Sequence, residues 1–278
     1  MLTKEVLKGL KVGSDNIYGY DFFNQEQNEE MTLRKKVACD DNSDYLDIIS
    51  DHHSIPVMDR EVKLFLKKIP EHGIIIDVGG CWGWHWRGIE DIRPDVSIFI
   101  VDFIRENLVH AAKVLARQLN KNVFLIHGDA TSLIFEDNVF DGYWSVQTLQ
   151  HIPSFIKAVK EARRVLKYGG VFASYSLNKS LLMKTLYRIL GKSYHIKGVV
   201  PDMFYLARAS TEQAIAIAEI FSNKVIKRYS EVLFQPEIKI NFPGKERSII
   251  GRIDSMLSAN NNIFSLLARQ QSYHTVKV

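Results

Sequence analysis

Ile74-Ile75-Ile76-Asp77-Val78-Gly79-Gly80-Cys81-Trp82-Gly83 reads as a short buried strand, an acid, a glycine-rich turn and the start of a helix. A strand that ends this way brings its backbone close to a ligand. Glycine is needed there because a Cβ would block the approach or the positive φ angle. The acid narrows the ligand. A loop built only to hold phosphates does not usually carry a carboxylate at its entrance, whereas a loop for a cationic, amino-acid-bearing ligand has a use for one.

Outward from this stretch, strand and helix patterns alternate. A helix is expected after the turn, ending before Pro94. Ser97 to Val101 is the second strand, and Ile104, Leu108, Ala111, Leu115 and Leu119 recur at helical spacing. Val123 to Ile126 is the third strand and Val139 to Val146 the fourth. Phe155, Val159, Ala162 and Leu166 mark a helix stopped by Gly169-Gly170, and Val171 to Leu177 is the fifth strand. Upstream, Val57 to Ile69 reads as a helix closed by Pro70 and Gly73. Downstream the regularity weakens, with helices expected around Leu182 to Leu190 and Thr211 to Ile220, and strands at Lys224 to Leu233 and Ser272 to Val278. Such alternation specifies an α/β fold: a Rossmann-like, doubly wound, mostly parallel sheet of seven strands, helices on both faces, and helical additions at the two ends.

Composition sets bounds on this reading. A chain of 278 residues with 46% hydrophobic and 24% charged residues can bury a core unaided. The net charge of +4 is spread along the chain, so no nucleic-acid partner is expected. Two cysteines, Cys39 and Cys81, make no disulfide framework and fit a reducing cytoplasm. No apolar run is long enough to span a bilayer, and Lys4, Glu5 and Lys8 exclude a signal peptide at Met1 to Leu10.

In an open α/β sheet the ligand lies beyond the carboxyl ends of the strands. Three of those ends carry an acid: Asp77, Asp102 and Asp129. A carboxylate at Asp102 can accept both hydroxyls of a ribose. Asp129 can accept from an exocyclic amino group such as that of adenine, and Asp77 can face a cation. Phe103 and Ile104 could lie against the adenine face.

These motifs resemble class I S-adenosylmethionine-dependent methyltransferases. The resemblance rests on Asp77 to Gly83, Asp102, His127-Gly128-Asp129-Ala130, and Phe135 to Asp141. It continues through Ser145-Val146-Gln147-Thr148-Leu149-Gln150-His151-Ile152-Pro153 and Glu161 to Gly170. Within that class the chain is similar to the small-molecule branch that includes ubiquinone and menaquinone biosynthesis methyltransferases, the type 11 group. The resemblance covers Asp77 to Leu177. It implies S-adenosyl-L-methionine as cofactor, held by Asp77, Gly79, Gly80, Cys81, Gly83, Asp102, Phe103, Asp129, Ala130, Ser145 and Gln147. It further implies an N-terminal lid or cap over residues 1–56, a methyltransferase domain over 57–278, and an acceptor-pocket insertion at about 178–250. The family usually has glycine where this chain has Cys81, and Gly80 is expected to take over the conformational duty.

Methyl transfer from sulfur to a nucleophile runs in line, so the protein need only orient the reactants and keep the site dry. His151 follows the fourth strand and is the candidate catalytic base, with loop orientation as the plainer alternative. Gln147, Tyr175 and Asn178 are candidates to hold a small-molecule acceptor, with a sugar, a quinone precursor or a lipid-linked glycan all open. A homodimer is also open. A nicotinamide oxidoreductase is the alternative enzyme, though the chain lacks its G-x-G-x-x-G pattern. A non-catalytic cofactor-binding protein is the alternative of another class.

Several neighbours have plainer readings. Trp82, Trp84 and Trp86 could face a sulfonium, but packing explains at least two of them. Cys81 and His85 at i, i+4 have no second ligand cluster, so no metal site is expected. Asp51-His52-His53 matches a short phosphoesterase signature by chance, while His53 could help close the cofactor pocket.

Overall fold

The computed structural model describes residues 5–19, 45–199, 205–258 and 264–278. Its centre is a nine-stranded sheet in the order β1-β2-β5-β4-β3-β6-β7-β11-β10. The strands are β1 (Lys11–Val12), β2 (Ile17–Gly19), β3 (Ile74–Val78), β4 (Ser97–Asp102), β5 (Val123–His127), β6 (Phe140–Val146), β7 (Leu166–Leu177), β10 (Ile226–Ser230) and β11 (Gln270–Val276). From β2 to β7 every neighbouring pair is parallel, and β11 enters antiparallel between β7 and β10. A separate hairpin pairs β8 (Lys197–Val199) with β9 (Tyr205–Ala207).

The sheet has nine strands rather than seven because a hairpin at Lys11 to Gly19 adds β1 and β2 beyond β5. β2 runs parallel to β5, and Gly19 lies beside His127. The part of the N-terminal segment from 20 to 44, and Cys39 with it, lies outside the described residues.

Eight helices flank the sheet among the described residues. They are α1 (Tyr45–His52), α2 (Ile55–Leu66), α3 (Ile89–Ile92), α4 (Arg105–Val114), α5 (Phe155–Val165), α6 (Leu181–Ile189), α7 (Thr211–Phe221) and α8 (Ile249–Leu257). In α2 the buried Ile55, Met58, Val62, Phe65 and Leu66 form one stripe against Trp144 and Ala173 on the first face of the sheet. The stripe Ala158, Val159, Ala162 and Val165 of α5 packs with Ile217 and Phe221 of α7 on the other face. Serine side chains start α6, α7 and α8: Ser180, Ser210 and Ser248 accept from the amides of Met183, Gln213 and Gly251. None of the described helices is long and apolar enough to cross a membrane.

Two local expectations fail. The helix after the glycine turn is replaced by a 3-10 turn at Trp84–Trp86 and the single turn of α3. Gly88 divides them, and Trp84, His85 and Trp86 are all buried, so this stretch has no solvent face for a longer amphipathic helix. Gly169-Gly170 does not end α5. Leu166 is already extended and pairs with Phe140, and residues 167–170 form an irregularity inside β7 with Gly169 at φ +80°.

Candidate active site

Strand order reverses between β3 and β6, since β4 and β5 follow on one side and β7 on the other. Such a switch point opens a crevice at the carboxyl edge. Here it forms a cleft whose walls come from successive strand ends: Gly79 and Cys81 after β3, Asp102 and Phe103 at β4, Ala130 after β5, and His151 after β6.

Gly79 is the tightest point. It has φ +73°, and an added Cβ would lie 2.1 Å from Thr148 Oγ1 across the switch. The Thr148 hydroxyl itself donates to the Gly79 carbonyl at 3.3 Å. At Gly80 a Cβ would lie 2.6 Å from Asp77 Oδ2 and 2.7 Å from Ile100 Cγ2, so only glycine lets the turn fold down onto the strand. The left-handed conformation falls to Cys81, at φ +50°, and not to Gly80. Cysteine there costs about 1–2 kcal/mol of backbone strain. Its amide is used: Cys81 N donates to Asp102 Oδ2 at 3.0 Å. Gly83, also left-handed, caps the Trp84–Trp86 turn and packs toward Leu115, away from the cleft lining.

Asp102 is buried at the rim, with Ile104 N donating to Oδ1 at 2.8 Å. The two amides fix the carboxylate plane, and each oxygen can accept more than one donor. Asp77 lies deeper. Its only side-chain donor among the described residues is Trp86 Nε1, at 2.7 Å from Oδ2. Burial pushes this carboxyl up to about 7, the Trp86 bond opposes that rise, and the Asp102 charge adds to it.

Asp129 is buried behind the cleft rather than lining it. Its oxygens accept from Thr131 N at 2.9 Å and Thr131 Oγ1 at 2.7 Å. Its neighbours Gly128 and Ala130 reach the cleft in its place. Ser145 is fully buried and donates to the Val78 carbonyl at 2.9 Å, tying β6 to β3. Gln147 holds a left-handed backbone at φ +50°, and its side-chain nitrogen is buried with no partner among the described residues.

His151 lines the cleft. Its Nδ1 lies 2.6 Å from the Tyr205 carbonyl and its Nε2 lies 3.1 Å from Gln150 Nε2. A carbonyl only accepts, so Nδ1 carries the proton. Gln150 Oε1 accepts from Leu177 N at 2.7 Å, which orients the amide so that its nitrogen donates to His151 Nε2. In this arrangement Nδ1 is the donor and Nε2 the acceptor.

Two expected acceptor contacts are committed elsewhere. The Tyr175 hydroxyl donates to Glu61 Oε2 at 2.8 Å, and Glu61 Oε1 takes Arg228 at 3.0 Å, so the phenol closes a buried ion pair and is absent from the cleft lining. Asn178 donates to the carbonyls of Ser265 and Ala268 at 2.8 and 2.9 Å and lines a separate, smaller cavity.

Sequence reasoning passed over Thr148 and Asn107, which both line the cleft. A signal existed for Asn107: it stands in the first turn of the helix that follows the Asp102 strand end. The three tryptophans pack outside the cleft lining. Trp84 stacks on His85 at 4.0 Å, and Trp82 lies 4.5 Å from His110. His53 reaches Trp84 at 5.8 Å. Burial drives His85 down to about 3. No cluster of metal-ligating side chains occurs among the described residues.

Residues 76–174 match the family model described as a methyltransferase domain. A demethylmenaquinone methyltransferase of Staphylococcus aureus (strain JH9) is 30% identical over 169 residues, a stretch that spans 60% of this chain and 60% of that protein's length. Among solved structures, a SAM-dependent methyltransferase from Thermotoga maritima is similar at TM-score 0.57 and 17% identity, covering 90% of this chain and 99% of that one. The phosphoethanolamine N-methyltransferase 2 of Haemonchus contortus, in complex with S-adenosyl-L-methionine, is similar at TM-score 0.53 and 18% identity, covering 78% of this chain and 52% of that one. At such identities the solved structures establish the fold and not the reaction. The family that the strand-end motifs resemble is the one these comparisons return.

Proposed function

We propose that this chain transfers a methyl group from S-adenosyl-L-methionine directly to a small-molecule acceptor. The observation that carries the reading is the glycine turn folded against two carboxylates at the switch point. Gly79 and Gly80 leave a cradle that a Cβ would fill, and Asp102 stands at its rim with both oxygens already oriented by backbone amides. The cradle fits an adenosyl cofactor. Asp102 would accept the ribose hydroxyls, Phe103 and Ala130 would cover the base, and the backbone at Gly79 would lie against the amino-acid end. Asp77 fits a cation nearby, because a buried carboxyl pushed up to about 7 regains its charge when a positive group approaches.

When bound, the sulfonium cofactor supplies the methyl group in electrophilic form. The chain's part is to bind, orient and exclude water. His151 would take the proton of a hydroxyl acceptor at Nε2, which requires the Gln150 amide to yield its contact there. Gln147 would contact the cofactor or the acceptor with its unpaired amide. The N-terminal segment 1–56 would serve as the lid; its described Gly19 lies beside His127 at the end of β5, whose next residues line the cleft.

Thermal unfolding with S-adenosylhomocysteine, S-adenosylmethionine and NAD tests the reading. A ligand at a hundred times its dissociation constant stabilises by about 2.7 kcal/mol. The two adenosyl compounds should stabilise the wild type, and Asp102→Ala should lose most of that shift. Stabilisation by NAD alone would overturn the reading in favour of an oxidoreductase.

A further inference from the structure

We propose that the small cavity at the carboxyl end of β7 receives an anionic group, a phosphate or carboxylate, belonging to the methyl acceptor. This rests on the methyl-transfer reading and gives its acceptor a chemical class.

Position comes first. Asn178 directly follows β7, and the preceding Leu177 is bonded through its amide to Gln150, the residue that holds His151. The cavity therefore adjoins the strand end next to the proposed base. It is a small cavity, lined by Asn178, Tyr187, Tyr194, Arg208, Glu237 and Arg269 among others, with room for one group of a larger ligand and not for a whole molecule.

Charge comes second. Arg208 is only 8% exposed and makes no close ion pair among the described residues, although Glu237 is near enough for the two charges to interact. Its Nε donates to the His195 carbonyl at 2.7 Å, its Nη1 to the Asn178 carbonyl at 3.1 Å, and its plane stacks on Tyr194 at 4.2 Å. Those contacts fix the guanidinium and leave Nη2 without a described acceptor. Buried charges are ordinarily paired. Arg269 is paired, through Nη1 to Glu231 and Nε to Glu237, each at 2.7 Å. Both carboxylates of the cluster are thus bonded to Arg269, and neither makes a close ion pair with Arg208. A planar, preoriented guanidinium is the side chain best matched to phosphate or carboxylate. Tyr187 adds a phenol that burial holds in its protonated, donating form, pushed up to about 12.

The α6 wall and the loop beside it expose Leu181, Leu182, Ile189, Leu190, Leu266 and Leu267. A lipid headgroup and a free phosphorylated or carboxylated molecule would present the same group to Arg208.

The test titrates inorganic phosphate into the full chain by calorimetry, alongside S-adenosylhomocysteine in the same proteins. Phosphate should bind the wild type, and Arg208→Gln should weaken it at least tenfold while leaving S-adenosylhomocysteine affinity unchanged. Because Arg208 also ties the β8–β9 hairpin to β7, Tyr187→Phe serves as a second variant that leaves this tether intact. It should weaken phosphate several-fold. No phosphate binding to the wild type, or equal binding in both variants, overturns the proposal. Phosphate binding that depends on Arg208, without any S-adenosylhomocysteine binding, would instead sink the methyl-transfer reading and keep the anion site. Co-sedimentation with phosphatidic acid vesicles, compared with phosphatidylcholine, separates the sources. Arg208-dependent capture by the acidic vesicles assigns a lipid, and its absence with phosphate binding retained assigns a soluble acceptor.

Discussion

Trp86 Nε1 donates to Asp77 Oδ2 at 2.7 Å, making an indole the sole described donor to the buried carboxyl beneath the glycine turn. That one neutral bond does not offset burial, and the Asp77 carboxyl is pushed from an ordinary 3.8 up to about 7.

A pH dependence follows from this shift. A carboxyl that holds its proton more tightly folded than unfolded makes stability fall as pH rises. The window for Asp77 runs from about 4 to about 7, with a slope near 1.4 kcal/mol per pH unit for one full proton. Glu231, also pushed up to about 7 by burial with Arg269 opposing, contributes with the same sign. Asp77→Asn leaves that background in place, so urea unfolding of both proteins at pH 5 and pH 8 isolates Asp77. The wild type should lose more stability than the variant across that interval. Parallel curves would show that Asp77 ionises normally.

Removing the donor should act in the same direction. Trp86→Phe keeps an aromatic ring, though a smaller one, and leaves Asp77 without its hydrogen bond. The expected loss is about 1–3 kcal/mol at pH 8 and less at pH 5, where the carboxyl is neutral. A loss independent of pH would assign the effect to packing alone.

Cys81 carries strain that glycine would relieve. Its φ is +50°. Cys81→Gly regains about 1–2 kcal/mol of strain and gives back about 0.4–1 kcal/mol through the freer unfolded chain. The net should be neutral to slightly stabilising, with S-adenosylhomocysteine affinity not weakened. Cys81→Val should lose stability, because a branched Cβ is worse in the left-handed region. A destabilised glycine variant would mean that the thiol packs for more than its backbone costs.

The pair Glu61–Arg228 should show strong coupling. Glu61 is 2% exposed and Arg228 17% on the side chain. Arg228→Met alone strands a buried carboxylate and should cost about 3–5 kcal/mol. Adding Glu61→Gln should restore part of the loss, and a double-mutant cycle by denaturant unfolding measures the difference. Additive losses would mean that solvent already screens the pair.

His151→Ala should spare S-adenosylhomocysteine binding and lower turnover of a hydroxyl acceptor by about 10²–10⁴-fold. Unchanged turnover would remove His151 as the base and leave it as a prop for Tyr205.

The strand order from β3 to β7 was legible because each strand is an apolar run bounded by turn chemistry, as in Ile74 to Val78. The rim was legible in part: Asp102 stands where such a run stops and lines the cleft, whereas Asp77 and Asp129, placed by the same rule, do not line it. What a side chain does at that rim was not legible. Tyr175 and Asn178 follow the strand pattern equally well, yet one closes an ion pair with Glu61 from 114 residues upstream in sequence and the other is held by the 265–268 backbone. Neither partner leaves a local trace. The broken helix after the glycine turn hid for a different reason: three buried aromatic or imidazole side chains in a row mimic an apolar face. The β1–β2 hairpin hid because strands of two and three residues fall below any periodic window.

That hairpin changes how the molecule meets copies of itself. With seven strands, β5 would be outermost, and Val123-Phe124-Leu125-Ile126 would present a row of unpaired amides on an apolar, uncharged ribbon. Such a ribbon recruits other chains edge to edge. Ile17, Tyr18 and Gly19 occupy it, and beyond them, among the described residues, the sheet ends in the two exposed residues Lys11 and Val12. A short, charged margin is a poor template. Residues 11–19 thus guard solubility, and losing them would favour concentration-dependent aggregation while the two cores stay largely intact.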